Sequence, residues 1–364
     1  MRILQLAPLW ETVPPPAYGG TETVVSLLTD ALVEQGHDVT LVASGDSRTR
    51  AKLTSVYPRS LRQCDDLKDR TPYDWMHVST ALSLAGDFDI IHNHAGELAM
   101  CMSSLIETPV LTTTHCLTTA DTTPIWQRYR GAYNTVSRSQ RAHFKAFEGS
   151  AHYVGHVYNA IDVDSFPFQR EKSDDLLFLS RIAPEKAPDI AIDVARRSGR
   201  RLLMAGKVDR VDRPYFAEVV EPLIDGEQIV WLGEADSAMK RDLYRNACCL
   251  LMPLRWEEPF GLVMTESLAC GTPVIAFGRG AAPEIIQQGE TGFIVQNAEE
   301  MVTAVGDVKR IDPAACRADI QLRFGPRALV QGYVNVYERL LDSARTPGGS
   351  IDHDGSLVET LVGG

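Results

Sequence analysis

The sequence of 364 residues has no apolar run near the roughly 18–20 residues that a membrane-spanning helix needs. Positive charge is scarce as well, since 36 Lys and Arg stand against 48 Asp and Glu, a net charge of −12. A chain this acidic lacks the basic face with which proteins bind nucleic-acid phosphates, so we expect no nucleic-acid partner. Disordered and fibrous classes are excluded too, because 44% of the residues are apolar and only 23% are charged.

The cysteines show no pattern of a disulfide framework or a zinc site. There are seven, an odd number, and no two have C-x-x-C spacing. Cys248 and Cys249 lie in an apolar run, where free thiols behave as small apolar residues. The apolar core of a signal peptide is also missing, because Gln5 interrupts the first run and Glu11 follows. We therefore expect a cytoplasmic protein, with peripheral attachment to the inner face of the membrane as an open alternative.

Short β-rich apolar runs alternate with longer amphipathic stretches along the chain. The runs are 2–7, 38–43, 89–92, 110–113, 132–136, 152–157, 176–179, 201–205, 228–232, 248–252, 273–276 and 292–295. This alternation predicts an α/β fold in which helices cover parallel sheets. Twelve strands are too many for a closed eight-stranded barrel, so we predict two doubly wound, Rossmann-like domains.

The domain boundary is expected in the turn-rich segment 158–167. We predict a first domain over 1–160, a second over 161–325, and a helix over about 326–342 that packs back on the first. Residues 345–364, with two glycine pairs, are predicted to form a poorly ordered tail. Because open α/β sheets bind ligands at the carboxyl ends of their strands, we expect the site in a central cleft that both domains face.

The most informative segment is 257–275, which reads as loop, helix, turn and strand. Glu258 precedes the helix, and Glu266 lies about a turn and a half inside it. The free N–H groups at the helix start suit an anion. They belong to Phe260, Gly261 and Leu262. Since carboxylates accept hydrogen bonds from sugar hydroxyls, the segment predicts a ligand with both hydroxyls and phosphates.

Glu258-Pro259-Phe260-Gly261, followed by Glu266 and by Ala269-Cys270-Gly271-Thr272-Pro273, resembles the signature of the retaining GT-B glycosyltransferases of family 4. The resemblance covers nearly the whole chain. It implies transfer of a hexose from a nucleoside diphosphate sugar, with UDP or GDP favoured, to a hydroxyl of a small-molecule, glycan or lipid acceptor. Glu258 would hold the donor sugar and Glu266 the ribose. The family uses neither a metal nor another cofactor here, so none is expected.

Two further motifs match the same family in order. In the segment 180–186, just after a predicted strand, the resemblance implies that Arg181 and Lys186 neutralise the donor diphosphate. Gly19 and Gly20 lie in the loop after the first strand and permit close backbone approach to a ligand. The resemblance places this loop against the diphosphate and the acceptor.

Histidines end two of the predicted strands. The resemblance implies that His115 contacts the donor sugar near its reacting end. His94 is a candidate contact on the acceptor side. A metal pair formed by His92 and His94, with Glu97 as third ligand, is the alternative.

Glycines that follow predicted strands in the second half of the chain are weaker indications of a ligand site. Gly206 and Gly233 are expected either to line the nucleotide cleft or to be plain turn glycines. The segment 277–293 resembles the family's Gly-rich loop, but Gly280 is followed by two alanines where the family often has a second glycine.

The segment 122–147 contains no Asp or Glu. Its basic residues are Arg128, Arg130, Arg138, Arg141 and Lys145. They form either a basic helix face paired with acidic neighbours or an anion-binding edge. In the second case Arg141 and Lys145 serve a phosphorylated acceptor or an anionic membrane surface.

Two other functions stay open. One is a related GT-B enzyme, such as a sugar-nucleotide epimerase or phosphorylase, and the other is an inactive sugar-nucleotide-binding protein. The intact pair of Glu258 and Glu266 argues against the first, and the complete set of charged site residues argues against the second. The sequence indicates no particular oligomeric state.

Overall fold

The apolar runs become the strands of two parallel sheets in the computed structural model, which describes residues 1–17, 19–345, 350–351 and 357–358. The predicted α/β fold with two Rossmann-like sheets is confirmed. One unit contains Met1–Pro15, Gly19–Asn159 and the helix that begins at Pro326. The other contains Ala160–Gly325, so the chain passes between them inside the turn-rich segment 158–167.

Seven described strands form the sheet of the first unit, in the order β3-β2-β1-β4-β5-β6-β7. They are β1 (Arg2–Leu6), β2 (Asp38–Val42), β3 (Lys52–Thr54), β4 (Ile90–Asn93), β5 (Val110–Thr114), β6 (Ala132–Thr135) and β7 (His152–His156). The order reverses between β1 and β4, which makes the carboxyl ends of these two strands the switch point of the sheet. Strand β3 was not predicted, because this edge strand is largely exposed and carries no apolar run.

Helices flank the strands of this sheet. They are α1 (Gly20–Glu34), α2 (Thr71–Ser83), α3 (Glu97–Met102), α4 (Thr123–Trp126) and α5 (Arg138–Phe144). In α1 the buried residues Val24, Val25, Leu28 and Leu32 recur at three- and four-residue spacing, as expected for a helix with one face on a sheet. Helix α2 was not predicted, since its buried residues are confined to its second half.

Six described strands form the sheet of the second unit, in the order β10-β9-β8-β11-β12-β13. They are β8 (Leu176–Leu179), β9 (Leu202–Ala205), β10 (Ile229–Trp231), β11 (Cys249–Met252), β12 (Val274–Phe277) and β13 (Gly292–Val295). Every residue of β8, β11 and β12 is buried, so these central strands read as continuous apolar runs. The switch point of this sheet lies between β8 and β11.

Seven described helices belong to the second unit. They are α6 (Pro188–Ser198), α7 (Arg213–Tyr215), α8 (Ser237–Asn246), α9 (Leu262–Ala269), α10 (Ala282–Ile285), α11 (Ala298–Asp307) and α12 (Pro313–Arg323). The amphipathic pattern of residues 213–223 predicts a single helix, whereas α7 continues as a π turn and then a 3-10 turn. Pro222, which has no N–H to donate, lies in the second of these turns.

The last long helix, α13 (Pro326–Arg345), packs on the first unit. The apolar stripe of this helix is buried, namely Leu329, Val330, Tyr333, Val336, Tyr337 and Leu340. Arg339 donates to the carbonyl oxygen of Val154 at 3.2 Å. Of the predicted tail, β14 (Ser350–Ile351) and β15 (Leu357–Val358) pair antiparallel, and the other positions from 346 on lie outside the described residues. No helix in the described part of the chain has both the length and the apolar character to cross a bilayer.

Candidate functional site

The carboxyl ends of β8 and β11 bring two of the predicted motifs together. Lys186 ends a 3-10 turn after β8, and Glu258 lies in the loop after β11. The Lys186 ammonium donates a hydrogen bond to Oε2 of Glu258 in a close ion pair. The two side chains keep only 12% and 11% of their exposure, so solvent screens this pair weakly. The contact spans the switch point of the second sheet, where open α/β sheets bind their ligands.

Trp256 is part of this site, although it was not among the predicted residues. Its indole Nε1 donates to Oε2 of Glu258 at 3.1 Å, and the Lys186 ammonium lies 4.4 Å from the ring centroid. The second contact is a cation–π interaction. Trp256 therefore restrains both members of the ion pair. The available signal was an aromatic residue two positions before Glu258, in the loop after a buried strand.

Arg181 has its own set of acidic partners. Its guanidinium donates to Glu185 and, across 2.7 Å, to Asp212, and a carboxylate oxygen of Asp209 lies 3.9 Å away. These contacts orient the planar guanidinium at the end of β8. They also place three carboxylates around Arg181, and one of them, Asp209, pairs with the Lys207 ammonium as well, so an anionic ligand has to compete with carboxylates for Arg181.

Glu266 lies inside α9 and is buried. Its Oε2 accepts from the Tyr244 hydroxyl at 2.8 Å and pairs with the Lys240 ammonium at 3.0 Å. Burial and the nearby Glu266 charge raise the pKa of Tyr244 well above its ordinary value, so the phenol stays protonated and donates. An ionised carboxylate offers about four acceptor positions, which leaves Glu266 able to accept a ligand hydroxyl as well.

The start of α9 is the predicted anion position. Gly261 caps the helix at φ 88°, and Leu262 is its first residue. The Phe260 side chain is buried and meets the Phe324 ring edge-on, with the centroids 5.6 Å apart. Its side chain is thus a core element, and only the backbone of this residue is available to a ligand.

Two predicted glycines differ in their surroundings. Gly206 follows β9 with φ 151°, and a Cβ there would lie 1.8 Å from the carbonyl oxygen of Ser180, next to Arg181. Its N–H donates to the carbonyl of Gly233 at 2.9 Å. A Cβ at Gly233 would meet no atom within 4 Å. Close packing therefore explains the glycine at 206, and does not explain the one at 233.

The weak Gly-rich motif contacts the strong acidic one. The Gly280 N–H donates to the Glu257 side chain at 2.6 Å, and a Cβ at Gly280 would lie 2.2 Å from the backbone nitrogen of Glu258. The N–H of Ala281 donates to the carbonyl of Glu258 at 2.9 Å, so the loop after β12 holds this backbone. A glycine is required at this position even though two alanines follow it.

In the first unit, Gly19 and Gly20 lie at the start of α1. The buried carboxyl of Glu22 lies beside them, with Oε2 3.2 Å from the position of a Cβ at Gly19. Burial raises the pKa of Glu22 to about 7, and the charge of Glu11 adds to the rise. A carboxyl that titrates near neutral pH therefore adjoins the predicted ligand-binding loop.

The two predicted histidines of the first unit are in direct contact. Nε2 of His115 lies 2.9 Å from Nδ1 of His94, and Nε2 of His94 lies 2.9 Å from Oε1 of Gln5. Both nitrogens of His92 have buried partners, the hydroxyls of Tyr337 and Thr113, each at 2.6 Å. His92 is therefore not available to a metal. In the described residues no group of three His, Cys, Asp or Glu is arranged to hold one.

The directions of these hydrogen bonds follow from Asn134. Its Nδ2 donates to the carbonyl of Thr135 at 3.2 Å, so its Oδ1 has to accept from the Thr113 hydroxyl, 2.6 Å away. The Thr113 oxygen then accepts from Nε2 of His92. Burial lowers the pKa of His92 well below its ordinary value, so this ring is neutral and its Nδ1 accepts from Tyr337.

The same reasoning extends to His115. The Tyr337 oxygen accepts from Nε2 of Gln5 at 3.1 Å, which leaves Oε1 of Gln5 to accept from Nε2 of His94. Burial lowers the pKa of His94 far below its usual value and that of His115 to about 4, so both rings are neutral. Nδ1 of His94 then accepts from Nε2 of His115.

The histidine relay is this single-direction chain of hydrogen bonds. It consists of His115, His94, Gln5, Tyr337, His92, Thr113 and Asn134. It leaves Nδ1 of His115 with a lone pair, and no described residue bonds that atom. The half-buried His115 can therefore accept a hydrogen bond from a ligand hydroxyl at Nδ1 but cannot donate one there.

The basic residues of 122–147 divide into separate environments. Arg141 donates to Glu148 at 2.9 Å and lies 4.4 Å over the Tyr153 ring, so for this residue the paired alternative is the one observed. Lys145 is exposed. Arg128 and Arg130 line a cavity in the first unit.

Two family models match the chain, one for each half. "Glycosyltransferase Family 4" matches residues 18–165, and "Glycosyl transferases group 1" matches residues 162–314. A phosphatidyl-myo-inositol mannosyltransferase of Mycobacterium tuberculosis is 26% identical over 330 residues, covering 81% of this chain and 82% of the relative. A D-inositol 3-phosphate glycosyltransferase of Acidothermus cellulolyticus is 30% identical over 196 residues, covering 47% and 42%.

Solved structures share the fold. AviGT4, a glycosyltransferase involved in avilamycin A biosynthesis, has a TM-score of 0.70 and 24% identity, covering 94% of this chain and 98% of that one. Anabaena HepE in complex with UDP has a TM-score of 0.70 and 17% identity, covering 93% and 100%. With both family models and the mannosyltransferase relative in agreement, the resemblance is confirmed, and the chain belongs to the group 1, family 4 glycosyltransferases of the GT-B fold.

Proposed function

We propose that this glycosyltransferase moves a hexose from a UDP- or GDP-sugar to a hydroxyl of an acceptor, with retention at the anomeric carbon. The observation that carries the proposal is the buried ion pair of Lys186 and Glu258, restrained by Trp256 at the switch point of the second sheet. The names of the relatives, a mannosyltransferase among them, and the UDP bound to Anabaena HepE support this donor class.

In the proposed reaction, charged residues of the second unit act on the leaving group. Lys186 and Arg181 stabilise the negative charge that develops on the departing diphosphate. Glu258 accepts hydrogen bonds from the donor sugar, and Glu266 from the ribose. The acceptor oxygen bonds to the anomeric carbon on the face from which the phosphate oxygen departs, and that phosphate oxygen takes the acceptor's proton. Neither a covalent enzyme intermediate nor a metal is required.

Residues of the first unit have a positioning role in this proposal. His115 accepts a hydrogen bond from a substrate hydroxyl at Nδ1. Both nitrogens of His94 are used inside the histidine relay, so His94 acts through His115 and does not touch the acceptor.

We also propose that the acceptor carries a phosphate, because both named relatives act on inositol phosphates or their lipids. In that case the exposed Lys145 serves the acceptor, or serves contact of 122–147 with the inner face of the membrane from the cytoplasm. Arg141 is less suited to this task because Glu148 already neutralises it.

Thermal shift with UDP-, GDP- and ADP-sugars tests the donor, since a ligand that binds only the folded state raises Tm. The effective donor is then incubated with inositol phosphates, and the anomeric configuration of the product is read by NMR. Lys186→Ala and Glu258→Ala should lose the donor shift, whereas Lys68→Ala, an exposed lysine of the other unit, should keep it.

Four results would contradict the proposal. If no donor raised Tm, or if Lys186→Ala and Glu258→Ala turned over normally, the donor-site assignment would be wrong. An inverted product would exclude retention. Consumption of the donor without transfer to any acceptor would favour an epimerase or phosphorylase.

A further inference from the structure

A half-open cavity of about 670 Å³ lies in the first unit. Its walls come from α3, from the loop that contains α4, and from Val110 and Ala132, the first residues of β5 and β6. His115 follows the other end of β5, and β5 and β6 run parallel. The cavity therefore lies at the amino edge of the sheet, opposite to the edge at which His115 lies.

The walls are mostly apolar, with side chains such as Met100, Ile125 and Leu340. The hydroxyls of Tyr129, Ser103 and Thr108 in the lining already donate to main-chain carbonyls, at 3.2, 2.9 and 2.8 Å. These groups therefore offer a ligand little beyond apolar contact.

Arg128 and Arg130 are the charged residues of the lining. Arg128 donates to the carbonyl of Pro124 at 3.1 Å, and Arg130 donates to those of Gln127 and Tyr129 at 3.2 and 3.1 Å. Within the described chain, neither guanidinium has a carboxylate partner in ion-pair range, consistent with the absence of Asp and Glu from 122–147. Each retains unused N–H donors and an uncompensated positive charge.

We propose that this cavity binds a molecule with an apolar chain and an anionic head group. The chain fills the apolar interior, where burial removes its surface from water, and the head group forms charge-assisted hydrogen bonds with Arg128 and Arg130. The volume lies in the range of small-molecule sites, roughly 300–1,000 Å³. A free fatty acid and an anionic membrane lipid both have this chemistry. The site is separate from the proposed transfer reaction and does not depend on it.

The test is titration of the full chain with a fluorescent long-chain fatty acid below its critical micelle concentration. Flotation with anionic and with zwitterionic phospholipid vesicles forms the second arm. We expect saturable binding in at least one arm, with a preference for anionic over zwitterionic vesicles. The double variant Arg128→Ala/Arg130→Ala should bind at least about tenfold more weakly, because the anionic head group loses both of its charge-assisted hydrogen-bond partners.

Arg48→Ala is the matched control, since Arg48 is an exposed arginine of the same unit outside the cavity. A second variant, Ser104→Trp, narrows the cavity from an exposed wall position and should weaken binding without changing charge. Saturable binding of the fatty acid assigns a soluble ligand, and binding to anionic vesicles alone assigns a membrane lipid. No binding in either arm, or equal binding by the double variant and Arg48→Ala, overturns the proposal. Circular dichroism of each variant verifies that it is folded.

Discussion

Nδ1 of His94 accepts a hydrogen bond from Nε2 of His115 across 2.9 Å, and this contact fixes which nitrogen of His115 carries the proton. The direction of the hydrogen bonds is set at Asn134, at the far end of the histidine relay. A change deep in the core should therefore alter the tautomer of His115 at the edge of the sheet. Tyr337 is the connecting residue, because its hydroxyl accepts from Gln5 and donates to His92.

We therefore expect that His115 adopts both tautomers in Tyr337→Phe. Turnover should fall by roughly tenfold, because the tautomer with the proton on Nδ1 loses one hydrogen bond to the substrate, worth about 1.4 kcal/mol. Nitrogen-15 NMR of the histidine rings reports the tautomer directly. Tyr333→Phe is the control, since Tyr333 is buried on the same helix and its hydroxyl bonds Thr113 at 3.1 Å as a side branch of the relay. Equal loss of turnover in the two variants would indicate a packing effect alone.

The stability of the protein should depend on pH through His115. The pKa of His115 is about 4 in the folded protein and about 6.5 in the unfolded chain. Between these pH values the unfolded chain therefore binds a proton at His115 that the folded protein does not bind. The contribution of the neutral His115 ring to the free energy of unfolding is fully present above pH 6.5. About 3 kcal/mol of this free energy is lost as the pH falls to 4. Urea unfolding at a series of pH values should show that His115→Gln removes this part of the slope.

The stability that depends on Glu22 should change with pH in the opposite direction to that of His115. Its folded pKa of about 7 lies above the unfolded value of 4.5, so the folded protein retains a proton that the unfolded chain has lost. That contribution to stability is present below pH 4.5 and disappears as the pH rises to 7. In the same urea series, Glu22→Gln should therefore steepen the net gain of stability between these pH values. An unchanged or shallower dependence would contradict the raised pKa of Glu22.

Local patterns in the sequence predicted much of this molecule because each central strand is buried on both faces. β8 and β11 are continuous apolar runs, whereas the exposed edge strand β3 has no comparable signal. The resemblance to the family likewise selected Lys186 and Glu258, 72 positions apart, but not their contact. Gln5 and Tyr337 are separated by 332 positions, and neither residue type predicts a buried chain of hydrogen bonds. Their contact is therefore visible only in the folded structure.

Removing Lys186 should separate stability from ligand binding. In Lys186→Met the Glu258 carboxylate stays buried without its cation, and we expect a loss of about 3 kcal/mol in the free energy of unfolding. The double variant Lys186→Met/Glu258→Gln removes both charges and should recover most of that stability while the donor-induced rise in Tm stays lost. Chemical denaturation and thermal shift measure the two effects. Donor binding by the double variant would show that the pair is structural.

The carboxylates around Arg181 predict an unusual gain of affinity. Asp209 approaches Arg181 only to 3.9 Å and pairs instead with the Lys207 ammonium, so replacing its carboxylate removes one negative charge near Arg181 and leaves Lys207 free to attract phosphates. Asp209→Asn should therefore tighten UDP or GDP binding severalfold at low salt, and the gain should shrink as salt screens the charges. Asp212→Asn is the contrasting variant, because Asp212 accepts from Arg181 at 2.7 Å and its loss should weaken binding. Isothermal titration at two salt concentrations distinguishes these outcomes, and weaker binding by Asp209→Asn would mean that Asp209 helps to position Arg181 for the phosphates.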